Sequence, residues 1–218
     1  CWMPIEKIGV DDGWQARTLG NDSTDISFRG KSQGTLNWGL MGEHNRMNAL
    51  AALAAAHHAG VTIEIGITAL RKFKNVKRRM ELCGVANEIT VYDDFAHHPT
   101  AIQTTLEGLR NKINDARIIA VLEPRSNTMR MGTWQDRLAE CLKAADLVFC
   151  YTSNLGWDVE EALKPIGSRA VSSDNLEKLI EAITVATHPG DYVLIMSNGG
   201  FGGIQEKILK SLNTIHQS

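Results

Sequence analysis

The stretch Ile118-Ile119-Ala120-Val121-Leu122-Glu123-Pro124-Arg125-Ser126-Asn127-Thr128 decides how this chain is read. Ile118 to Leu122 is a continuous apolar run of strand length, closed by a polar segment containing a proline. A strand that is apolar on both faces belongs inside a parallel sheet, with helices covering it above and below. Leu147–Tyr151 and Tyr192–Ser197 have the same texture. Working outward, Ile89–Tyr92 reads as a further strand and Arg169–Ser172 as a weak one. Between the strands lie segments with helical spacing. Pro99 takes a first helical position ahead of Ile102, Leu106, Leu109 and Ile113. Trp134, Leu138, Leu142 and Ala145 mark a second helix, and Asp158–Leu163 a short third. Asp174 and Glu177 form a capping-box-like start for a helix carrying Leu176, Ile180 and Ile183. Ile204, Ile208 and Leu212 mark the last. Strands alternating with amphipathic helices predict one doubly wound α/β domain over residues 79–218.

The region upstream differs. Residues 1 to about 42 are rich in Gly, Asp, Ser and Asn. Ile26 and Phe28 alternate with polar neighbours, and so do Leu36, Trp38 and Leu40 after a turn at Gly30–Gly34. Such period-2 runs with glycine breaks predict antiparallel hairpins. This patch is too small to hold a core alone and is expected to belong to an incomplete domain. Residues 44–60 follow as a helix with Ala49, Ala52, Leu53 and Ala56 on one closely packing face, stopped by Gly60. A second helix has Ile63, Ile67, Leu70 and Phe73 on one face and Thr62 as N-cap. The basic run Arg71–Arg79 is a solvated face or a linker, and the domain boundary is placed near it.

Composition narrows the function classes. The 218 residues carry 23 Lys plus Arg against 25 Asp plus Glu, a net charge of −2, which argues against a nucleic-acid partner on charge alone. No apolar run approaches the ~18–20 residues that span a bilayer, so no membrane partner is expected. The opening Cys1-Trp2-Met3-Pro4 has neither the charged nor the apolar part of a signal peptide, and beginning on Cys suggests a fragment of something longer. The four cysteines show no Cys-x-x-Cys spacing and read as free thiols in a reducing, cytoplasmic setting. No internal repeat or low-complexity segment is present.

Ligands of open parallel sheets bind at the carboxyl ends of the strands. That rule selects the segments Asp93–Pro99, Glu123–Thr128 and Ser197–Gly203, all dense in polar and glycine residues. Asp93 and Asp94 suit ligand hydroxyls, or the cap of the following helix. His97 and His98 with the two acids invite a metal reading, but adjacent histidines point differently and no further ligand spacing follows, so no metal site is assigned. Arg125 suits a carboxylate through its two-pronged guanidinium, or a surface ion pair. The glycines after the last strand suit either an anion at a helix N-terminus or a tight turn. Gly30-Lys31-Ser32 ends like a phosphate-binding loop. However, Asp25 stands where the first glycine belongs and a turn into a strand follows, so it reads as a hairpin turn. No Gly-x-Ser-x-Gly elbow and no Cys/His nucleophile arrangement occurs.

Three ordered stretches carry a family resemblance: Gly42-Glu43-His44-Asn45-Arg46-Met47-Asn48-Ala49, Lys77-Arg78-Arg79-Met80-Glu81 and Asp93-Asp94-Phe95-Ala96-His97-His98-Pro99-Thr100. Together they resemble the Mur ligases, the ATP-dependent amide-forming enzymes of peptidoglycan assembly, over essentially the whole chain. The resemblance implies that residues 1–75 are the β-hairpin and helical tail of a truncated central ATPase domain. Residues 76–218 would be the complete Rossmann-like domain that binds the amine substrate. The family's P-loop, magnesium-binding carboxylate and modified lysine have no counterpart here. The fragment is therefore expected to be inactive alone and to bind neither ATP nor Mg2+ strongly. His44, Asn45 and Asn48 match the adenine-contacting motif, an amide being able to donate to and accept from a purine edge. Arg79 matches the linker arginine that meets ATP phosphate when the domains close, and Asp94 the ribose-contacting acid; these two are the catalytic candidates. Hinge motion near residues 71–79 is implied. His97, His98, Arg125, Ser126, Asn127, Thr128, Asn198, Gly199 and Gly200 are the substrate-binding candidates. The segments Glu123–Thr128 and Ser197–Gly203 are most similar to the family member that joins L-Ala-γ-D-Glu-meso-diaminopimelate, a murein tripeptide, to UDP-N-acetylmuramate in peptidoglycan recycling. The member that adds L-alanine, and a non-catalytic ligand-binding module, are the alternatives.

Overall fold

The computed structural model describes residues 5–20, 23–40, 42–74 and 76–215. The chain divides into two compact units, Cys1–Asn75 and Val76–Ser218. The opening Cys1–Pro4 lies outside the described residues.

In the smaller unit, β1 (Trp14–Gly20), β2 (Ser23–Phe28) and β3 (Lys31–Asn37) form an antiparallel sheet in chain order, followed by α1 (Glu43–His58) and α2 (Ile63–Arg71). The turn between β2 and β3 is tighter than the glycine spacing predicts. Arg29 and Gly30 make it alone with φ of 49° and 74°, the paired positive values whose twist suits a two-residue hairpin. Gly34, with φ 133°, lies inside β3 where the register shifts between Ile26 and Ser27. β3 ends at Asn37, so Trp38 and Leu40 fall outside it. The core joins Trp14, Ile26 and Leu36 from the sheet to Leu50, Leu53 and Ile67 from the helices. The buried face of α1 is Ala49, Leu50, Leu53 and Ala54, and Ala52 is exposed. Leucines bury more apolar area than alanines and set the helix's rotation. Phe73 lies beyond the end of α2 and is exposed.

The larger unit contains β4 (Glu81–Ala86), β5 (Ile89–Asp94), α3 (Pro99–Ile113), β6 (Ile118–Leu122), α4 (Asn127–Arg130), α5 (Gln135–Cys141), β7 (Leu147–Tyr151), α6 (Val159–Leu163), β8 (Ala170–Ser173), α7 (Leu176–Ala186), β9 (Tyr192–Met196) and α8 (Ile204–Ile215). Six strands pair in the order β4-β5-β9-β6-β7-β8. β4 runs antiparallel to β5, and every other pair is parallel. One face of the sheet packs Ala120, Leu122 and Leu194 against Ile102 and Leu106 of α3, Leu138 of α5 and Leu163 of α6. The other packs Ile119, Val121 and Val193 against Leu179 and Ile183 of α7 and Ile204 and Ile208 of α8. The sheet is thus doubly wound, as its continuous apolar strands require.

Local details correct the sequence reading. Asp93 and Asp94 close β5 rather than opening the loop. The cap of α7 is Asn175, whose Oδ1 accepts from Lys178 N at 3.0 Å, rather than Asp174. α3 is capped by His98, whose Nδ1 accepts from Thr100 N at 3.4 Å, rather than by either aspartate. The helix after Trp134 stops at Cys141, with Leu142 and Ala145 buried in the following turn. Cys83, Cys141 and Cys150 are free; burial pushes their thiols up to about 11, 12 and 12. Among the described residues no helix is long and apolar enough to cross a membrane.

Candidate functional site

β5 crosses to β6 through α3, leaving a slot that β9 fills last. The carboxyl ends of β5, β9 and β6 are therefore hydrogen-bonded neighbours, and the three polar segments selected in the sequence emerge side by side. Ser197 N donates to Asp94 O at 3.1 Å, and Glu123 N to Met196 O at 3.0 Å. This is the switch point of the sheet, where a crevice opens between diverging connections.

Buried polar groups tie the edge together. Asp94, 3% exposed, accepts from Met80 N through Oδ2 at 2.8 Å and from Ala96 N through Oδ1 at 2.7 Å. Burial raises its pKa, against the lowering effect of those amides and of Arg79. Asp93, 5% exposed, accepts Arg78 Nε on Oδ2 at 2.9 Å. Arg78 Nη2 also donates to Ser197 O at 2.5 Å. Ser197 Oγ donates to the Glu123 carboxylate and accepts Gly199 N at 2.9 Å. Two buried acceptors, Asp93 Oδ1 and Asn198 Oδ1, have no hydrogen-bond partner among the described residues.

Arg125 stands apart from this network. It is exposed, and among the described residues its guanidinium has no hydrogen-bond or ion-pair partner. It lies across Gly199 so closely that a Cβ there would come within 2.3 Å of Nη1 and 2.6 Å of Cδ. Glycine at 199 is therefore what lets the arginine lie flat over the loop after β9. Ser126 caps α4 through its Oγ, while Asn127 and Thr128 are exposed on its first turn. Gly200 is exposed beside Phe201, whose side chain is buried although its φ is 43°. Phe201 thus anchors the loop.

The two histidines have structural partners. His97 Nδ1 lies 2.9 Å from Phe95 O, its ring edge-on to Phe95. The His98 ring meets Trp134 edge-on at 4.7 Å. Arg79 is exposed, with its guanidinium 5.6 Å from the Phe95 ring centre. His44, Asn45 and Asn48 sit on the first turns of α1 in the smaller unit, His44 and Asn48 exposed and Asn45 half-buried. Among the described residues no group of three His, Cys, Asp or Glu is placed to hold a metal. The three segments selected in the sequence lie together at this edge, and sequence reading missed the pairing of Arg78 with Asp93 and Ser197, which joins residues 15 and 119 positions apart.

A family model described as Mur ligase, glutamate ligase domain, matches residues 78–199, from Arg78 to the glycine under Arg125. The chain belongs to the Mur ligase family. Two curated relatives named UDP-N-acetylmuramate--L-alanyl-gamma-D-glutamyl-meso-2,6-diaminoheptandioate ligase match 97% of this chain. The one from Escherichia coli is 47% identical and matched over 47% of its length, and the one from Haemophilus influenzae 45% identical and matched over 48%. A crystal structure of a murein peptide ligase from Psychrobacter arcticus is 40% identical, covers 98% of this chain and 47% of its own, and superposes with a TM-score of 0.68. This Mur ligase chain thus spans about half the length of the curated relatives it matches.

Proposed function

We propose that this chain is the amine-substrate half, with part of the ATP-binding domain, of a ligase that joins L-Ala-γ-D-Glu-meso-diaminopimelate to UDP-N-acetylmuramate. Residues 1–75 are assigned to the central ATP-binding domain and 76–218 to the peptide-binding domain. The names of relatives 45–47% identical over 97% of the chain support the substrate pair. The observation that carries the peptide site is Arg125, unpaired among the described residues and laid over Gly199 at the sheet's switch point. A guanidinium so placed is a two-pronged partner for a substrate carboxylate.

In the proposed reaction the muramate carboxylate attacks the γ-phosphorus of ATP, giving an acyl phosphate and ADP. The free α-amine of the tripeptide then attacks the acyl carbon. The C–N bond forms, the C–O bond to phosphate breaks, and the nitrogen loses a proton. Such chemistry depends on positioning and charge neutralisation rather than on a protein nucleophile. Arg79 is assigned to ATP phosphate. Asp94 is assigned to the ribose, its carboxylate keeping a lone pair on each oxygen beyond the amides it already accepts. His44, Asn45 and Asn48 are assigned to the adenine. The peptide is held by Arg125–Thr128 and Asn198–Gly200, with His97 and His98 beside it. ATP with Mg2+ serves the complete enzyme, and the chain alone binds neither strongly and turns nothing over. Cytoplasmic placement accompanies this reading.

Calorimetry of the chain without ATP tests it, with the tripeptide and L-alanine titrated separately. Saturable binding of the tripeptide alone is expected, lost in Arg125→Ala. Preference for L-alanine would reassign the chain to the alanine-adding activity, and binding of neither would overturn the claim that the peptide site is complete in this chain.

A further inference from the structure

The segment Arg78–Met80 holds two residues in the left-handed region, Arg78 at φ 59° and Met80 at φ 49°, with Arg79 between them. Neither is glycine, and such conformations persist only where the surroundings over-determine them. The surroundings here are identifiable. Arg78 N donates to Glu81 Oε2 at 2.7 Å, and Arg78 O accepts Phe95 N at 2.8 Å. Met80 N donates to Asp94 Oδ2 at 2.8 Å. The Arg78 guanidinium bridges two strand ends, donating to Asp93 Oδ2 at 2.9 Å and to Ser197 O at 2.5 Å.

Ser197 is fully buried, and its hydroxyl connects onward. It donates to Glu123 at the end of β6 and accepts the amide of Gly199, the glycine under Arg125. One chain of hydrogen bonds therefore runs from Glu123 and Gly199, in the two segments that carry the proposed peptide contacts, through Ser197 and Arg78 to the strained backbone around Arg79.

We propose that Arg78 is a positioning residue that couples the state of the Glu123 and Gly199 segments to the conformation of Arg79. It touches no substrate in this scheme and acts through its neighbour. A displacement of Ser197 or Glu123 alters one of the two acceptors of the Arg78 fork, and the fork helps to hold residues 78–80 in an otherwise disfavoured shape. The physical warrant is a continuous bonded network acting on a backbone segment with a lower-energy alternative. A lysine at 78 keeps the charge but, with a single nitrogen, cannot hold both acceptors in the planar fork geometry. The inference rests on the ligase reading for its purpose, but its physical content is independent of any ligand.

The test is a double-mutant cycle read by hydrogen exchange of the Met80 and Phe95 amides in the 218-residue chain. Glu123→Gln weakens the acceptor of Ser197, 43 positions from the Met80 amide and 28 from the Phe95 amide in sequence. In the wild-type background it is expected to lower protection of both amides at least about threefold. In the Arg78→Lys background the same substitution is expected to change them less than about 1.5-fold. Equal effects in the two backgrounds, or no effect in either, overturn the proposal. Global unfolding by urea, followed in parallel, separates a local loss of protection from general destabilisation. Should the tripeptide fail to bind in the calorimetry above, the ligase reading of this edge falls while the cycle still decides the coupling. Where it does bind, it should alter Met80 protection in the wild type and not in Arg78→Lys, with affinity in the two within about threefold.

Discussion

The two ends of the six-stranded sheet bury polar groups in different ways. At the amino end Asp191 and Asp146 are both engaged. Asp191, 3% exposed just before β9, accepts His188 N at 2.7 Å and lies 3.6 Å from Arg117 Nε. Asp146, before β7, takes Arg110 and also Ile118 N at 2.7 Å. At the carboxyl end Asp94 accepts one backbone amide on each oxygen and keeps a lone pair on both, while Asp93 Oδ1 and Asn198 Oδ1 are buried acceptors without partners and Arg125 is a donor without one, among the described residues. A buried polar group left unmatched costs stability. One end is therefore built to hold the fold and the other retains hydrogen-bonding capacity for something outside the chain.

That contrast can be broken most forcefully at Asp94. Besides standing on the ligand edge, its carboxylate accepts two backbone amides, so Asp94→Ala should also cost stability as an amino-end substitution does. Orphaning Met80 N and Ala96 N is expected to lower unfolding free energy by about 2–4 kcal/mol. Asp191→Ala orphans one amide and weakens a half-exposed arginine's pair, for about 1–3 kcal/mol, and leaves tripeptide affinity unchanged. Urea unfolding with calorimetry on the same samples checks both. A loss of affinity in Asp191→Ala with stability intact would erase the distinction between the two ends.

A smaller effect sharpens the comparison. Gly199→Ala places a methyl group where Arg125 lies, and the closest atoms are the movable guanidinium and Cδ. The arginine can swing away, so stability is expected to fall by less than about 1 kcal/mol. Tripeptide affinity should fall about tenfold, as the fork no longer presents its two donors in place. A variant that binds as the wild type does would show that Arg125's pose over Gly199 is incidental.

How much of this was legible depends on whether the signal was local. Ile118–Leu122 and Leu147–Tyr151 are read to the residue, because strands buried on both faces carry no polar interruption. β4 is invisible in the sequence. Its register shifts between Leu82 and Gly84, and Leu82 and Val85 are exposed, so neither alternation nor a continuous apolar run survives. The cap of α7 slips from Asp174 to its neighbour Asn175 because both side chains suit the role and only geometry chooses. That three polar segments would meet at one edge was legible because they follow apolar strands. Which acid is spent and which is spare was not, since that depends on partners such as Arg78 and Ser197, 119 positions apart.

The smallest expected effect lies in the other unit, where the contrast predicts a saturated acid with no spare capacity. Glu6 accepts Trp14 Nε1 through Oε2 at 2.7 Å and pairs with His57 Nδ1 through Oε1 at 2.9 Å. Burial pushes its pKa up, but the bonds from His57 and Trp14 outweigh that and hold it below the ordinary value. A carboxylate whose folded pKa is depressed contributes stability that is present above its unfolded pKa, 4.5 as the ordinary value, and lost as pH falls through the folded one. Lowering pH from 7 toward 3 should therefore shift the Trp14 indole N–H resonance, with a midpoint below the ordinary glutamate range. Glu6→Gln should abolish the transition and flatten that part of the acid limb of stability. A midpoint at or above the ordinary value would mean that Glu6 is not held as the geometry requires. Glu6 would then be no more saturated than the ligand edge of the larger unit.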